Sequence, residues 1–384
     1  MRRWRPGPMA ALAVALVVGC PTAEPQDDDD APQALETREL TAALAAQWAA
    51  EDPPEDHPWD WMDAVYMLGF VEAHRITSDP EQLDYPARWI EEYYGELVNG
   101  ERDPDASDRV APNILPVQHM TLSGADSYPA VLEVVDEYLA SVPRSDDGGI
   151  LHWGTHFPDK RELLIDSLFM FGGYLVSAYA LTGDEAYLDL FVEQLSIFES
   201  LCRHDEAGLF VHAWDDDDKQ NIPDEPIYWA RGNGWIVAVT SWYLAWAPSD
   251  HGGRELVLDV YRGQVDAWIE VQDDGGLFHT VLNHPDDPDN YLETSASALF
   301  LHGTARGIHA GVLPPDDYRD AVVAAHDGVV SRIVEDGDGR LTVEGTSFGT
   351  MPTTYDNYIG IPLVDDLPMG VGTVLMGLAA ADGI

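Results

Sequence analysis

From about residue 34 to the C-terminus, apolar residues recur at helical spacing in one segment after another, joined alternately by short turns and long polar loops. The short connections are turns such as Leu181-Thr182-Gly183-Asp184 and Ser123-Gly124-Ala125-Asp126. Helices are predicted to start near residues 34, 58, 80, 112, 128, 162, 185, 227, 255, 291, 316 and 369. Four of the long loops carry one turn signature at intervals of roughly 60 residues, the mark of an internal repeat. They read Ser145-Asp146-Asp147-Gly148-Gly149-Ile150-Leu151-His152-Trp153, Asp205 through Gly208 to Trp214, Asp273-Asp274-Gly275-Gly276-Leu277-Phe278-His279, and Asp336 through Gly339 to Val343. The Asp-Gly pairs supply tight turns, and the β-favouring residues after them predict short strands.

Helix, short turn, helix and long loop, repeated six times, predict an all-α fold over residues 34–384: an (α/α)6 toroid of six helical hairpins with short strands in the loops at one end. The alternative is an open helical solenoid. Closure is favoured by the last helix, Leu375-Met376-Gly377-Leu378-Ala379, which has no polar outer face to cap an open end. In a closed ring the long loops converge on one mouth. His152, Trp153, His212, Trp214 and His279 hold nearly the same phase after the recurring turn, which makes the mouth the expected site.

The ends and the charge narrow the setting. Arg2, Arg3 and Arg5 precede an apolar run from Met9 to Val18 that is too short to span a bilayer, which predicts a signal peptide over 1–19. Val17-Val18-Gly19-Cys20 resembles a bacterial lipobox, so Cys20 is the expected lipidation site and the acidic stretch 20–33 a tether. Export across the inner membrane and anchoring in the periplasm or at the cell surface follow. Ordinary cleavage to a free secreted protein is the alternative. The formal net charge of −49 argues against nucleic acid and against membrane association beyond the lipid anchor, and suits a saline medium. An anionic substrate would then need a local cation in the cleft. With Cys20 acylated, Cys202 is left without a disulfide partner or a cysteine metal site.

Two segments carry candidate chemistry. In Leu163-Leu164-Ile165-Asp166-Ser167-Leu168-Phe169, Asp166 is the only charge in an apolar run; it is either a helix cap or a carboxyl whose raised pKa suits proton donation. In Tyr228-Trp229-Ala230-Arg231-Gly232-Asn233-Gly234-Trp235, Arg231 stands between Trp229 and Trp235, as a fork for a substrate carboxylate would, or as a surface cation paired with an acid. There is no phosphate loop and no His-Glu-x-x-His helix, and Asp215 to Asp218 lack the spacing of a calcium loop. No metal or organic cofactor is expected.

These segments resemble glycoside hydrolase family 105, and less closely family 88: the unsaturated rhamnogalacturonyl and glucuronyl hydrolases. The resemblance runs from about Trp59 to the last helix. It is carried by Val211-His212-Ala213-Trp214-Asp215, the Tyr228–Trp235 segment and Tyr291-Leu292-Glu293-Thr294-Ser295. It implies that Asp166 is the proton donor and that Asp108, in Asp108-Arg109-Val110-Ala111-Pro112, is the second catalytic carboxylate. From the residues alone, Asp108 reads as a helix cap. Trp61 takes the place of a pocket-lining ring, with His152, His212, Trp214, Trp229, Arg231 and Trp235 around the substrate. The implied reaction removes a terminal 4,5-unsaturated uronic acid from polysaccharide-lyase oligosaccharides by hydrating the C4=C5 enol ether. Two departures bear on the sugar beyond the scissile bond: Leu164 and Ile165 stand where a Trp is common, and Trp153 follows His152 where a Lys is common. A conventional two-carboxylate glycosidase on the same ring, or a glycan-binding lipoprotein without activity, are the alternatives.

Overall fold

A computed structural model describes residues 34–384. The expected signal peptide, the lipidation of Cys20 and the acidic tether fall outside the described residues. Helices alternate between two rings along the chain: α1 (Arg38–Glu51, outer), α2 (Trp61–Thr77, inner), α3 (Pro80–Val98, outer), α4 (Ile114–Ser123, inner), α5 (Ala130–Ser141, outer), α6 (Ser167–Thr182, inner), α7 (Ala186–Cys202, outer), α8 (Ala230–Trp246, inner), α9 (Arg254–Ile269, outer), α10 (Thr294–His309, inner) and α11 (Pro315–Val330, outer). The short α12 (Tyr355–Ile359), which the apolar spacing does not foretell, precedes the last inner helix, α13 (Pro368–Ala381).

The inner helices touch in sequence, α2 to α4, α6, α8 and α10, and α13 packs on both α10 and α2. The ring is therefore closed, as the apolar last helix requires. Inner helices are buried on every side: α8 is buried without interruption from Ala230 to Leu244 and α13 from Met369 to Ala381. Outer helices bury one stripe, as α3 does with Tyr85, Trp89, Ile90 and Leu97, and leave acidic residues in solvent. Closure demands close backbone approach between α13 and α2. A Cβ on Gly372 would lie 2.3 Å from the Val65 carbonyl oxygen, so no other residue fits there without moving a helix.

All four recurring turns place a glycine in the left-handed region: Gly148, Gly208, Gly276 and Gly339, with φ between 67° and 91°. Each joins an outer helix to the next inner one, and the strands lie in these loops. β1 (Glu162–Leu164), β4 (Ala213–Asp215) and β5 (Gln220–Ile222) form an antiparallel sheet; β2 (Arg203–His204) pairs with β3 (Leu209–Phe210), β6 (Ile333–Glu335) with β7 (Leu341–Val343), and β8 (Thr346–Ser347) with β9 (Leu363–Val364). The helix expected from near 162 begins instead at Ser167, because Glu162 to Leu164 pair with Asp215 to Ala213. The first and third turns lead only to isolated bridges, Arg144 with Ile150 and His279 with Leu292. No described helix is long and apolar enough to cross a membrane.

Candidate active site

The candidate residues gather where long loops feed the inner helices. Asp60 caps α2 by accepting from the Met62 N–H, Asp108 lies in a 3-10 turn ahead of α4, Asp166 precedes the first residue of α6, Trp229 that of α8 and Glu293 that of α10. The partial positive ends of α6, α8 and α10 are thus brought near one another, a favourable floor for an anionic ligand on an acidic protein.

His152 lies between the two carboxyls. Its Nε2 is 3.6 Å from Asp108 Oδ2, and its Nδ1 is 3.8 Å from Asp166 Oδ1 and 2.9 Å from Ser167 Oγ. Burial keeps this imidazole below its usual pKa, hence neutral. Burial also pushes Asp166 up to about 6, with His152 pulling down and the neighbouring Asp108 adding to the rise. Asp108 is driven up to about 7 by burial and by Asp60, against Arg109. The pair therefore holds a proton near neutral pH, with Asp108 the more open side chain, 30% exposed against 13%. The cap reading of Asp166 fails, because its side chain makes no capping hydrogen bond and Oδ1 is buried without a partner. The cap reading of Asp108 fails too: it sits in the middle of its turn.

Beneath Asp166 lies a layered stack. His212 packs face to face on Trp229, ring centroids 4.2 Å apart, and its Nδ1 is 2.7 Å from the hydroxyl of Tyr358 on α12. That hydroxyl also accepts from the Thr353 N–H, and His212 Nε2 has no protein partner. The Trp229 indole N–H is likewise unpartnered. Tyr358 and Glu293 brace the site, and the sequence reading singled out neither. Tyr358 lies in a polar loop with no periodic signal. Glu293 falls within a quoted motif, but only the structure shows its work: it accepts from Ser295, Ala296 and Ser347 backbone N–H groups, locking the start of α10 to the 347–350 segment.

Several expectations are corrected. Arg231 is completely buried, and its fork is already committed: Nη1 donates to the Ser347 carbonyl at 2.9 Å and its hydroxyl at 2.8 Å, and Nη2 to the Phe348 carbonyl at 2.8 Å and Thr350 Oγ1 at 2.9 Å. Its guanidinium lies 5.0 Å from the Trp229 ring centroid and 3.8 Å from Glu293. It cannot also grip a substrate carboxylate bidentately; it holds the mouth segment and contributes charge from below. Trp235, expected at the pocket, is a core residue tilted against Phe169 at 4.6 Å, because it lies nearly two helical turns past Trp229, inside the ring. His152, His212 and Trp229 are at most 2% exposed, so they support the carboxyls and do not face solvent. Trp61 and Trp214 are half-buried, Trp61 at the start of α2 and Trp214 opposite Leu163 in the sheet. His279 is held by the Asn290 carbonyl, away from the pair.

A second carboxyl cluster shows what distinguishes a proton donor here. At the other end of the ring, a cavity of about 490 Å³ contains Glu72, Arg75, Trp246 and Arg306. Glu72 is more deeply buried than Asp166, but two arginines at 3.0 Å outweigh burial and hold its carboxyl below its ordinary value. Glu72 is a fixed anion. No described group of His, Cys, Asp and Glu has the arrangement of a metal site.

The family model described as Glycosyl Hydrolase Family 88 matches residues 37–381. An unsaturated rhamnogalacturonyl hydrolase of Bacillus subtilis is 28% identical over 332 residues, 84% of this chain and 90% of the relative. Among solved structures, a possible member of the GH105 family from Klebsiella pneumoniae superposes with a TM-score of 0.80 at 24% identity, covering 94% of this chain and 98% of that one. Unsaturated glucuronyl hydrolase from Bacillus sp. GL1 does so with a TM-score of 0.69 at 18% identity, covering 89% and 95%. These two structures share the fold.

Proposed function

This chain belongs to Glycosyl Hydrolase Family 88 and is a glycoside hydrolase of the unsaturated uronyl type, and on that premise we propose how its buried carboxyl pair works. The substrate is an oligosaccharide left by a polysaccharide lyase, whose terminal uronic acid carries a C4=C5 double bond. With the ring oxygen on C5 this is an enol ether, which accepts a proton at C4. Asp166, raised to about 6 and lying beside His152, delivers that proton. Water adds at C5, Asp166 takes back the proton that the water loses, and Asp108 positions the water and the sugar hydroxyls. The C5–O5 bond of the resulting hemiketal then breaks to a ketone, and the hemiacetal left at C1 expels the saturated partner as an alcohol. The observation that carries the reading is the pair of raised carboxyls on either side of His152, with one buried oxygen of Asp166 left unpartnered.

The mechanism is tested in heavy water: one solvent deuteron is expected at C4 of the released sugar, together with loss of the double-bond ultraviolet absorbance. A saturated aryl glucuronide separates the readings: an ordinary two-carboxylate glycosidase attacking at C1 would release its phenol and refute hydration, whereas a hydration mechanism needs the double bond and leaves the glucuronide intact.

We place the enzyme at a membrane through an acyl chain on Cys20, supported by the Val17-Val18-Gly19-Cys20 sequence and the acidic stretch after it. Cys20→Ser is expected to move the protein from the membrane to the soluble fraction with its activity intact; retention in the membrane would contradict the anchor.

A further inference from the structure

Lys160 and Lys219 are the only lysines in a chain with 69 acidic residues. Lys219 is bound in ion pairs to Asp146 and Asp216. Lys160 is different. Among the described residues no carboxylate oxygen lies within 4.0 Å of its ammonium, which stands instead over two rings, 4.3 Å from the Trp153 centroid and 5.6 Å from that of Phe157. With acids in more than threefold excess, a cation left to aromatic faces is a cation kept free.

The loop that carries this group is fastened to the catalytic pair. Trp153 follows His152, and the two rings meet edge to face at 4.7 Å. The Trp153 indole donates to Glu162 at 2.7 Å, which fixes the ring against β1. The Thr155 and His156 N–H groups donate to the Asp105 carbonyl, and the Ser107 N–H donates to the His152 carbonyl, so both flanks lock to the turn holding Asp108. Phe157, packed edge to face on Trp153 and His156, is nonetheless 45% exposed, unusual for a phenylalanine in a well-packed loop. Burial holds the His152 imidazole below its usual pKa, and the Lys160 charge adds a smaller push the same way, which places the ammonium within electrostatic reach of that ring.

An exposed ring, a half-buried indole and an ammonium over both, on the loop that carries His152, are the ingredients of a subsite for an acidic sugar. We infer that Trp153, Phe157 and Lys160 form the subsite for the saccharide beyond the scissile bond, and that it selects one bearing an anionic substituent, a carboxylate or a sulfate ester. This rests on the unsaturated uronyl hydrolase reading. The rings supply a face for the sugar, and Lys160 supplies three donors and a charge, with no carboxylate oxygen of the described residues within 4.0 Å.

The test compares three unsaturated disaccharides whose second sugar is neutral, carries a carboxylate or carries a sulfate, with the wild type, Lys160→Gln and Lys160→Arg. For the acidic disaccharides, Lys160→Gln is expected to raise KM about five- to tenfold, the order of one exposed charge contact, with kcat unchanged. KM for the neutral disaccharide should stay put, Lys160→Arg should restore most of the loss, and added salt should raise the wild-type KM for acidic substrates only. Whichever acidic disaccharide shows the larger change identifies the anion. Equal KM changes on neutral and acidic substrates, or none on either, overturn the subsite while leaving the hydrolase reading intact. If the wild type turns over none of the three, the hydrolase reading falls, and this inference with it.

Discussion

Asp166→Asn is expected to slow turnover by at least about a hundredfold, the low end of what general acid-base catalysis contributes, while KM changes little. The substitution keeps the planar side chain at the entrance of α6 and removes the titrating proton. Because Asp166 makes no capping hydrogen bond, helix stability should be almost unaffected, so a thermal melt close to wild type is part of the expected result. The pH dependence carries the same signature. A carboxyl raised to about 6 beside another raised to about 7 donates only while the pair retains its proton, so kcat should be high on the acid side and decline as pH rises through that window. The residual activity of Asp166→Asn should lack this decline. Near-normal turnover by the folded variant would transfer the donor role to Asp108, whose pKa is raised at least as far.

How much of this was legible in the sequence depends on whether a residue's role is local or assembled. The ring was legible, because the Asp-Gly turns and the periodicity of the apolar segments are local signals, and the left-handed glycines at 148, 208, 276 and 339 stand where the repeat puts them. Asp166 was legible as a lone charge in an apolar run. Asp108 was not, without the family resemblance: its turn differs in no local way from a cap, and its pKa arises from Asp60 and from burial, which belong to the assembled site. The start of α6 was misplaced because the pairing partner of Glu162 to Leu164 lies about fifty residues away, and hydrophobic spacing over three residues does not separate a strand from a helix. Tyr358 escaped for the same reason in stronger form, since its partner His212 is 146 residues distant and the hydrogen bond between them leaves no trace in spacing.

Arg231 shows the opposite failure, a residue correctly singled out and given the wrong task. The sequence offered a scarce cation between two indoles, and the carboxylate of the substrate was the obvious partner. In the structure the partners are the Ser347 carbonyl and hydroxyl, the Phe348 carbonyl and Thr350, with Glu293 beside them. Arg231→Met should therefore act first on stability. It leaves Glu293 buried without its cation and the 347–350 acceptors without donors, and breaking a buried pair in this way costs about 3–5 kcal/mol. A fall in the unfolding midpoint is expected along with loss of activity. Arg231→Lys keeps the charge beneath Asp166 but replaces the planar fork with a single ammonium, so it should recover part of the substrate affinity and less of the stability. Denaturant melts and KM measured on both variants separate the roles. A large rise in KM with unchanged stability would return the guanidinium to the substrate; a stability loss that tracks the missing hydrogen bonds assigns it to the segment over the mouth, where the charge reaches the uronate from below and the fork never touches it.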